Sequence, residues 1–137
     1  SNEEYDREIA HKLKEFNVNL VVLAGYMRLV GEPILSAYPQ AVINLHPSLL
    51  PSFPGAHGIP EALAAGVKVT GITIHFADQT YDTGPIILQR TVPVRQEDDE
   101  ESLREKIRKT EHEFLPYAIK LWATGRLVVD GRRVKIL

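Results

Sequence analysis

The 137-residue chain contains no cysteine. That excludes disulfides, thiolate nucleophiles and cysteine-ligated zinc, and it fits a cytoplasmic setting. No apolar run approaches the roughly 20 residues that a membrane helix needs, and no signal-peptide pattern is visible. Excess charge of one sign is also absent. Sixteen Lys and Arg against 18 Asp and Glu leave a net charge of -2, so there is no basic footprint for nucleic acid or an anionic membrane. No G-x-G-x-x-G or Walker-type loop occurs anywhere. The five histidines, 11, 46, 57, 75 and 112, show no ligand spacing with carboxylates that would predict a metal site. Internal repeats and low-complexity linkers are lacking. The length predicts one domain, residues 1–137, and a hydrophobic content of 44% is ordinary for a globular protein.

What is present reads as an α/β chain. Tyr5, Ile9, Leu13 and Phe16 recur at helical spacing, which predicts an amphipathic helix over residues 3–16, with Ser1 and Glu4 as a capping box. Leu20 to Ala24 is a continuous apolar run, expected of a strand buried on both faces and ended by Gly25. A short helix around Pro33 to Tyr38 and a buried strand from Val42 to Leu45 follow. Helix then strand, twice, is the rhythm of a doubly wound sheet. After a proline-rich loop at 47–58, a short helix from Pro60 is closed by Gly66. Val69 to Phe76 alternates, with Ile72, Ile74 and Phe76 on one face and Thr73 and His75 on the other. Asp82-Thr83-Gly84-Pro85 signals a turn into a strand from Ile86 to Val94, whose short connection predicts antiparallel pairing. Acids at 97–101 followed by Arg104, Lys106, Arg108 and Lys109 suit a helix dipole. Its inward stripe is Leu103, Ile107, Thr110, Phe114 and Ala118, and Pro116 is expected to kink or restart it. Val128 to Val134 reads as a terminal hairpin turning at Asp130-Gly131.

The chemistry concentrates at Ile43-Asn44-Leu45-His46-Pro47-Ser48-Leu49-Leu50-Pro51, where a strand runs into a proline-bracketed loop. Strand alternation puts Asn44 and His46 on one side, at a strand end where α/β folds place their sites. A carboxamide can donate to a developing oxyanion, and an imidazole can move a proton near neutral pH. Asp82 is the natural partner for His46, because a carboxylate favours the protonated ring and can accept a proton through water. No Ser or Cys nucleophile lies beside a base as in a hydrolytic triad. Ser48 reads as a loop support. The set suits attack by an external amine or water on a carbonyl, without metal.

These residues, with Val22-Leu23-Ala24-Gly25-Tyr26-Met27-Arg28, His75-Phe76 and Asp82-Thr83-Gly84-Pro85-Ile86-Ile87, resemble the folate-dependent formyltransferase family over essentially the whole chain. The resemblance implies a Rossmann-like fold, with a mostly parallel sheet, an antiparallel strand and a C-terminal hairpin. It implies metal-free transfer of a formyl group from 10-formyltetrahydrofolate to the amine of glycinamide ribonucleotide. Asn44 would hold the formyl oxygen, His46 would stabilise it and assist proton movement, and Asp82 would bind the relaying water. Folate would lie against Met27, Arg28, Leu29 and Val30 and the loop Asp78, Gln79, Thr80, Tyr81 and Asp82, with Asn44 beside the formyl group. The ribonucleotide would meet Gly25, Pro47, Arg108, Lys109, Thr110 and Glu111. Glu111, beside the inward stripe, is a carboxylate in need of a partner such as ribose hydroxyls. His57 and His75 would flank the site as structural hydrogen-bonders.

The family pattern also has a first strand and a phosphate-binding turn that this sequence does not show. The resemblance therefore implies a catalytic C-terminal portion, not expected to be active alone, with an exposed sheet edge open to self-association. Two other readings stand beside it. A family member that hydrolyses formyltetrahydrofolate usually shows His-His-Ser-Phe-Leu-Pro where this chain has His46-Pro47-Ser48-Leu49-Leu50-Pro51. A non-catalytic folate-binding fragment would bind without turnover. The methionyl-tRNA branch carries a further C-terminal domain and a basic surface, neither of which is seen here.

Overall fold

The computed structural model describes residues 2–25, 29–80 and 82–137. Met27, Arg28 and Tyr81, three of the expected folate contacts, lie outside the described residues, as does Ser1 of the expected capping box. The order is α1 (Asn2–Glu15), β1 (Val21–Ala24), α2 (Glu32–Ala37), β2 (Val42–His46), α3 (Gly58–Ala65), β3 (Val69–Phe76), β4 (Ile86–Pro93), α4 (Glu100–Ala123), β5 (Leu127–Asp130) and β6 (Arg133–Ile136).

The strands form one open sheet in the order β1-β2-β3-β4-β6-β5. It is more mixed than the expected mostly parallel arrangement. β1–β2 and β4–β6 are parallel, whereas β2–β3, β3–β4 and β5–β6 are antiparallel. The turn at 82–85 cannot carry a crossover, so β4 folds back on β3 as expected, and the further antiparallel pair is β2–β3, set by which strands become neighbours. The apolar run at 20–24 is half-buried rather than covered on both faces, because β1 is the outermost described strand on its side.

β2 and β3 position the site. Their register pairs Ile43 with Phe76, Asn44 with His75, Leu45 with Ile74 and His46 with Thr73. Ile43, Ile72 and Ile74 are fully buried in a core shared with Leu103 and Ile107 of α4. Val42 joins a second cluster with Val30, Ile34, Tyr38 and Ala41. Alternation of Ile43, Leu45, Ile72, Ile74 and Phe76 into the first cluster leaves Asn44, His46, Thr73 and His75 on the opposite faces of their strands.

α4 begins in a reciprocal capping box. Asp99 Oδ1 accepts from the Ser102 amide at 2.8 Å, and Ser102 Oγ accepts from the Asp99 amide at 3.0 Å. Leu103, Ile107, Ala118 and Leu121 are buried, while Thr110 and Phe114 of the expected stripe are half-buried. Pro116 does not restart the helix, which runs unbroken from 100 to 123. The carbonyl it leaves unpaired is that of exposed His112, where water can serve. The terminal hairpin turns one residue later than expected, through Gly131 and Arg132, because Asp130 pairs with Arg133. Gly131 takes the left-handed conformation there, at φ 62°.

Gly84 is where the turn before β4 touches β3. A Cβ on Gly84 would sit 1.6 Å from the Phe76 carbonyl oxygen, a backbone atom that cannot yield without breaking strand geometry. Gly84→Ala is therefore expected to cost about 3 kcal/mol of unfolding free energy. Gly25→Ala, which meets no atom within 4 Å and has only its φ of 70° to contend with, should cost about 1 kcal/mol. Urea denaturation of the two variants measures the difference.

Candidate active site

The strand ends, the 47–58 loop, the 78–85 loop and one face of α4 enclose a cavity of about 780 Å³. Asn44, His46, Pro47 and His75 line it, as do Asp78, Thr80, Asp82, Arg108, Glu111, Gly25, Leu29 and Val30. Three expected contacts do not. Gln79 points instead to Glu32, donating to its carboxylate at 2.6 Å. Thr110 donates to the Lys106 carbonyl at 3.0 Å, and Lys109 is exposed. Helix periodicity explains the last two: α4 presents 104, 108 and 111 to the cavity, and 109 and 110 point elsewhere.

His46 is 4% exposed. Its Nε2 lies 2.9 Å from the Phe53 carbonyl, which can only accept, so that nitrogen carries a proton. Its Nδ1 faces Asp82 Oδ1 at 3.4 Å. The His46 ring is thus clasped between a backbone carbonyl and a carboxylate. Asp82 is held from the other side, its Oδ2 accepting from the Gly55 amide at 2.7 Å. The Asp82 backbone has φ 57°, a left-handed conformation that Asp tolerates.

His75 belongs to the same constellation. Its Nδ1 donates to the Phe76 carbonyl at 2.9 Å, so in the neutral ring Nε2 is an acceptor. Asn44 Nδ2 lies 3.3 Å from that Nε2. Burial holds the His75 ring below its ordinary value of 6.5 despite the Phe76 carbonyl and Asp82, which act the other way. A neutral His75 thus orients the Asn44 amide and leaves its second N–H for a ligand. The β2–β3 register places the two side by side, a pairing that depends on knowing which strands are neighbours.

The loop carrying Pro47 is fastened by Thr73, whose hydroxyl is fully used. It donates to the Ser48 carbonyl at 2.7 Å, and it accepts from the Leu50 amide and from Gln89 Nε2, each at 3.0 Å. Ser48 Oγ donates to the Ser52 carbonyl at 2.5 Å, with the Phe53 carbonyl at 3.2 Å. Its loop-supporting role is as expected. His57 stands at the N-cap position of α3 without a side-chain capping bond, and it lies outside the cavity lining. At the α4 end, burial pushes the Glu111 carboxyl up from its ordinary value, opposed by the Arg108 charge. Leu23, Ile59, Arg104, His112 and Leu115 also line the cavity. Of these, Arg104 was legible as one turn before Arg108. Among the described residues no group of three or more His, Asp or Glu side chains is placed to hold a metal ion.

One cavity thus holds a carboxamide and a carboxylate–imidazole pair, a set whose chemistry suits acyl transfer. The formyl transferase family model matches residues 1–119, and the chain belongs to that family. It is 45% identical over 142 residues to a phosphoribosylglycinamide formyltransferase of Mycobacterium tuberculosis, covering 99% of this chain and 66% of that protein. The crystal structure of glycinamide ribonucleotide transformylase 1 from Symbiobacterium toebii superposes with a TM-score of 0.98 at 52% identity, over 100% of this chain and 65% of that one. A formyltetrahydrofolate deformylase from Pseudomonas syringae pv. tomato superposes at 0.89 with 32% identity, over 95% of this chain and 44% of its own. The chain thus spans just under two thirds of the first two relatives.

The neutral, buried His75 has a consequence for stability. A base whose folded pKa lies below its unfolded value binds fewer protons in the native state. Stability is then complete above the unfolded value of 6.5 and falls as pH drops from there toward the depressed folded value. His75→Gln should therefore flatten the loss of stability below pH 6.5 relative to the unsubstituted chain. The difference between their urea midpoints as a function of pH measures it.

Proposed function

We propose that this chain carries the formyl-transfer centre of a phosphoribosylglycinamide formyltransferase, passing the formyl group of 10-formyltetrahydrofolate to the amine of glycinamide ribonucleotide in purine synthesis. The observation that carries the reading is the convergence of Asn44, His46 and Asp82 at one end of a cavity large enough for two ligands. Leu23, Leu29 and Val30 on its wall suit a flat heteroaromatic ring, and the absence of a strand-end nucleophile suits direct attack. Arg108 and Glu111, about 780 Å³ of cavity being shared with them, suit the hydroxyls of a ribonucleotide.

The formyl donor supplies the carbonyl carbon that the amine lone pair attacks. Asn44, oriented by His75, donates its second N–H to the oxygen that becomes negative. His46, whose Nε2–H rests on the Phe53 carbonyl, would donate to that oxygen in its place. Asp82 accepts, through water, the proton that the attacking nitrogen must lose. The carbon–nitrogen bond to the folate then breaks, and that proton ends on the departing folate nitrogen. Asp82, facing both imidazoles, is placed to hold it in the interval.

His46→Ala should lower kcat at least about a hundredfold while leaving donor binding within about twofold, because the ring acts on charge that develops only in the transition state. Turnover like that of the unsubstituted chain would end the catalytic assignment. Asp82→Asn keeps an oxygen for the Gly55 amide but removes the proton acceptor, so kcat should fall about 10²- to 10⁴-fold with little change in stability. The assay follows formylated product and free formate in parallel, for this chain and for a polypeptide extended to the length of its relatives. Formate released independently of the amine would move the assignment to the deformylase. Folate binding without either product in both forms would leave a non-catalytic folate-binding module.

A further inference from the structure

Asp6 is the one acidic side chain buried in α1, 2% exposed. It lies far in sequence from the catalytic cluster, and the mechanism above does not use it. Its Oδ2 accepts from the Gly31 amide at 2.8 Å, across 25 residues of chain. Its Oδ1 has no hydrogen-bond partner. A buried carboxylate with so few bonds is poor value for stability alone, since desolvation costs more than one hydrogen bond returns. What the bond does is geometric. Gly31 is the residue before α2, and the two residues preceding it, Leu29 and Val30, line the cavity. Val30 is also packed against Ile34, Tyr38, Ala41 and Val42, with Ile9, Ala10 and Leu13 of α1 at the edge of that cluster.

The fit at Gly31 is specific. Its backbone, at φ -97°, is one that any residue adopts. A Cβ there would nevertheless lie 2.7 Å from Asp6 Oδ2. Glycine is thus required at 31 by the carboxylate and not by its own torsions. The negative charge also faces the amino-terminal end of α2, where it is favoured by the unpaired amides, and the Gly31 side supplies no side-chain cap of its own.

We propose that Asp6 is a positioning residue for the formyl donor. It fastens the loop at 29–31 to α1 through the Gly31 amide and so sets the apolar cavity wall against which the donor ring packs. The inference about the donor rests on the function proposed above, whereas the fastening of the loop does not.

A double-mutant cycle on the chain extended to the length of its relatives tests it, using Asp6→Ala, Gly31→Ala and the pair. Each single substitution should raise the donor KM about tenfold while kcat at saturating donor and the ribonucleotide KM stay within about twofold, because only the donor wall has moved. The double variant should be no worse than either single one, since both act through the same contact. Asp6→Asn retains an acceptor oxygen and should stay close to the unsubstituted protein. Additive effects in the cycle, or an equal rise in both KM values, would overturn the proposal. Amide hydrogen exchange at 29–31 provides a readout independent of turnover. Faster exchange in Asp6→Ala supports the fastening even if no formyl transfer is seen, in which case the functional reading alone fails. Unchanged exchange in a folded Asp6→Ala refutes the fastening whatever the activity.

Discussion

The β2–β3 register is the constraint on which the site depends. Side chains on a strand alternate with a period of 2, so a slip of one residue would carry Asn44 and His46 to the core face and Ile43 and Leu45 to the site. The slip is prevented by apolar burial on the opposite face, where Ile43 and Ile74 are completely enclosed. The geometry of the site is thus fixed by apolar residues on the opposite face of the strands. The same register brings His75 opposite Asn44 and Thr73 opposite His46. One residue of β3 then orients the amide, and the next one on that face fastens the loop that follows β2.

Around that frame the site holds two imidazoles in different surroundings. His75 is desolvated and bonded to its own neighbour's carbonyl, which suits a neutral ring. His46 lies between the Phe53 carbonyl and the Asp82 carboxylate. Asp82 reaches both, at 3.8 Å and 3.4 Å respectively, and its position is set by Gly55 from one loop and by the tight approach of Gly84 to β3 from the other. A carboxylate pinned from two sides needs no reorganisation when charge develops nearby, which is the condition under which fixed dipoles and charges act most strongly.

The elements themselves were largely legible in the sequence. Apolar periodicity located the strand at Val69–Phe76 to the residue and the remaining strands and helices to within a few positions, because burial on one face writes its period directly into the chain. The balance of parallel and antiparallel pairing was not legible, since it depends on which strands become neighbours rather than on any strand's own pattern. The same limit applies within the site. Asn44, His46 and Asp82 stood out by residue type and by resemblance, but the Asn44–His75 contact and the Asp6–Gly31 bond join residues 31 and 25 positions apart and leave no local signal. Lys109 and Thr110 fell in a contiguous segment read as one contact, whereas a helix can offer only every third or fourth residue to a cavity.

The two ends of the cavity differ in what they can distinguish. The chemistry of Asn44, His46 and Asp82 suits a carbonyl under attack by either an amine or water, so it does not by itself separate a transferase from a hydrolase. Arg108 and Glu111 lie at the other end, on a helix whose capping box and buried stripe hold it rigidly against the sheet. Burial raises the Glu111 carboxyl, and a ligand bearing vicinal hydroxyls would offset that desolvation by donating to it. Water needs no such arrangement. If the proposed function holds, selection of an amine acceptor over water would reside on α4, away from the bond that is made, and function would then vary at a part of the site separate from the strand end.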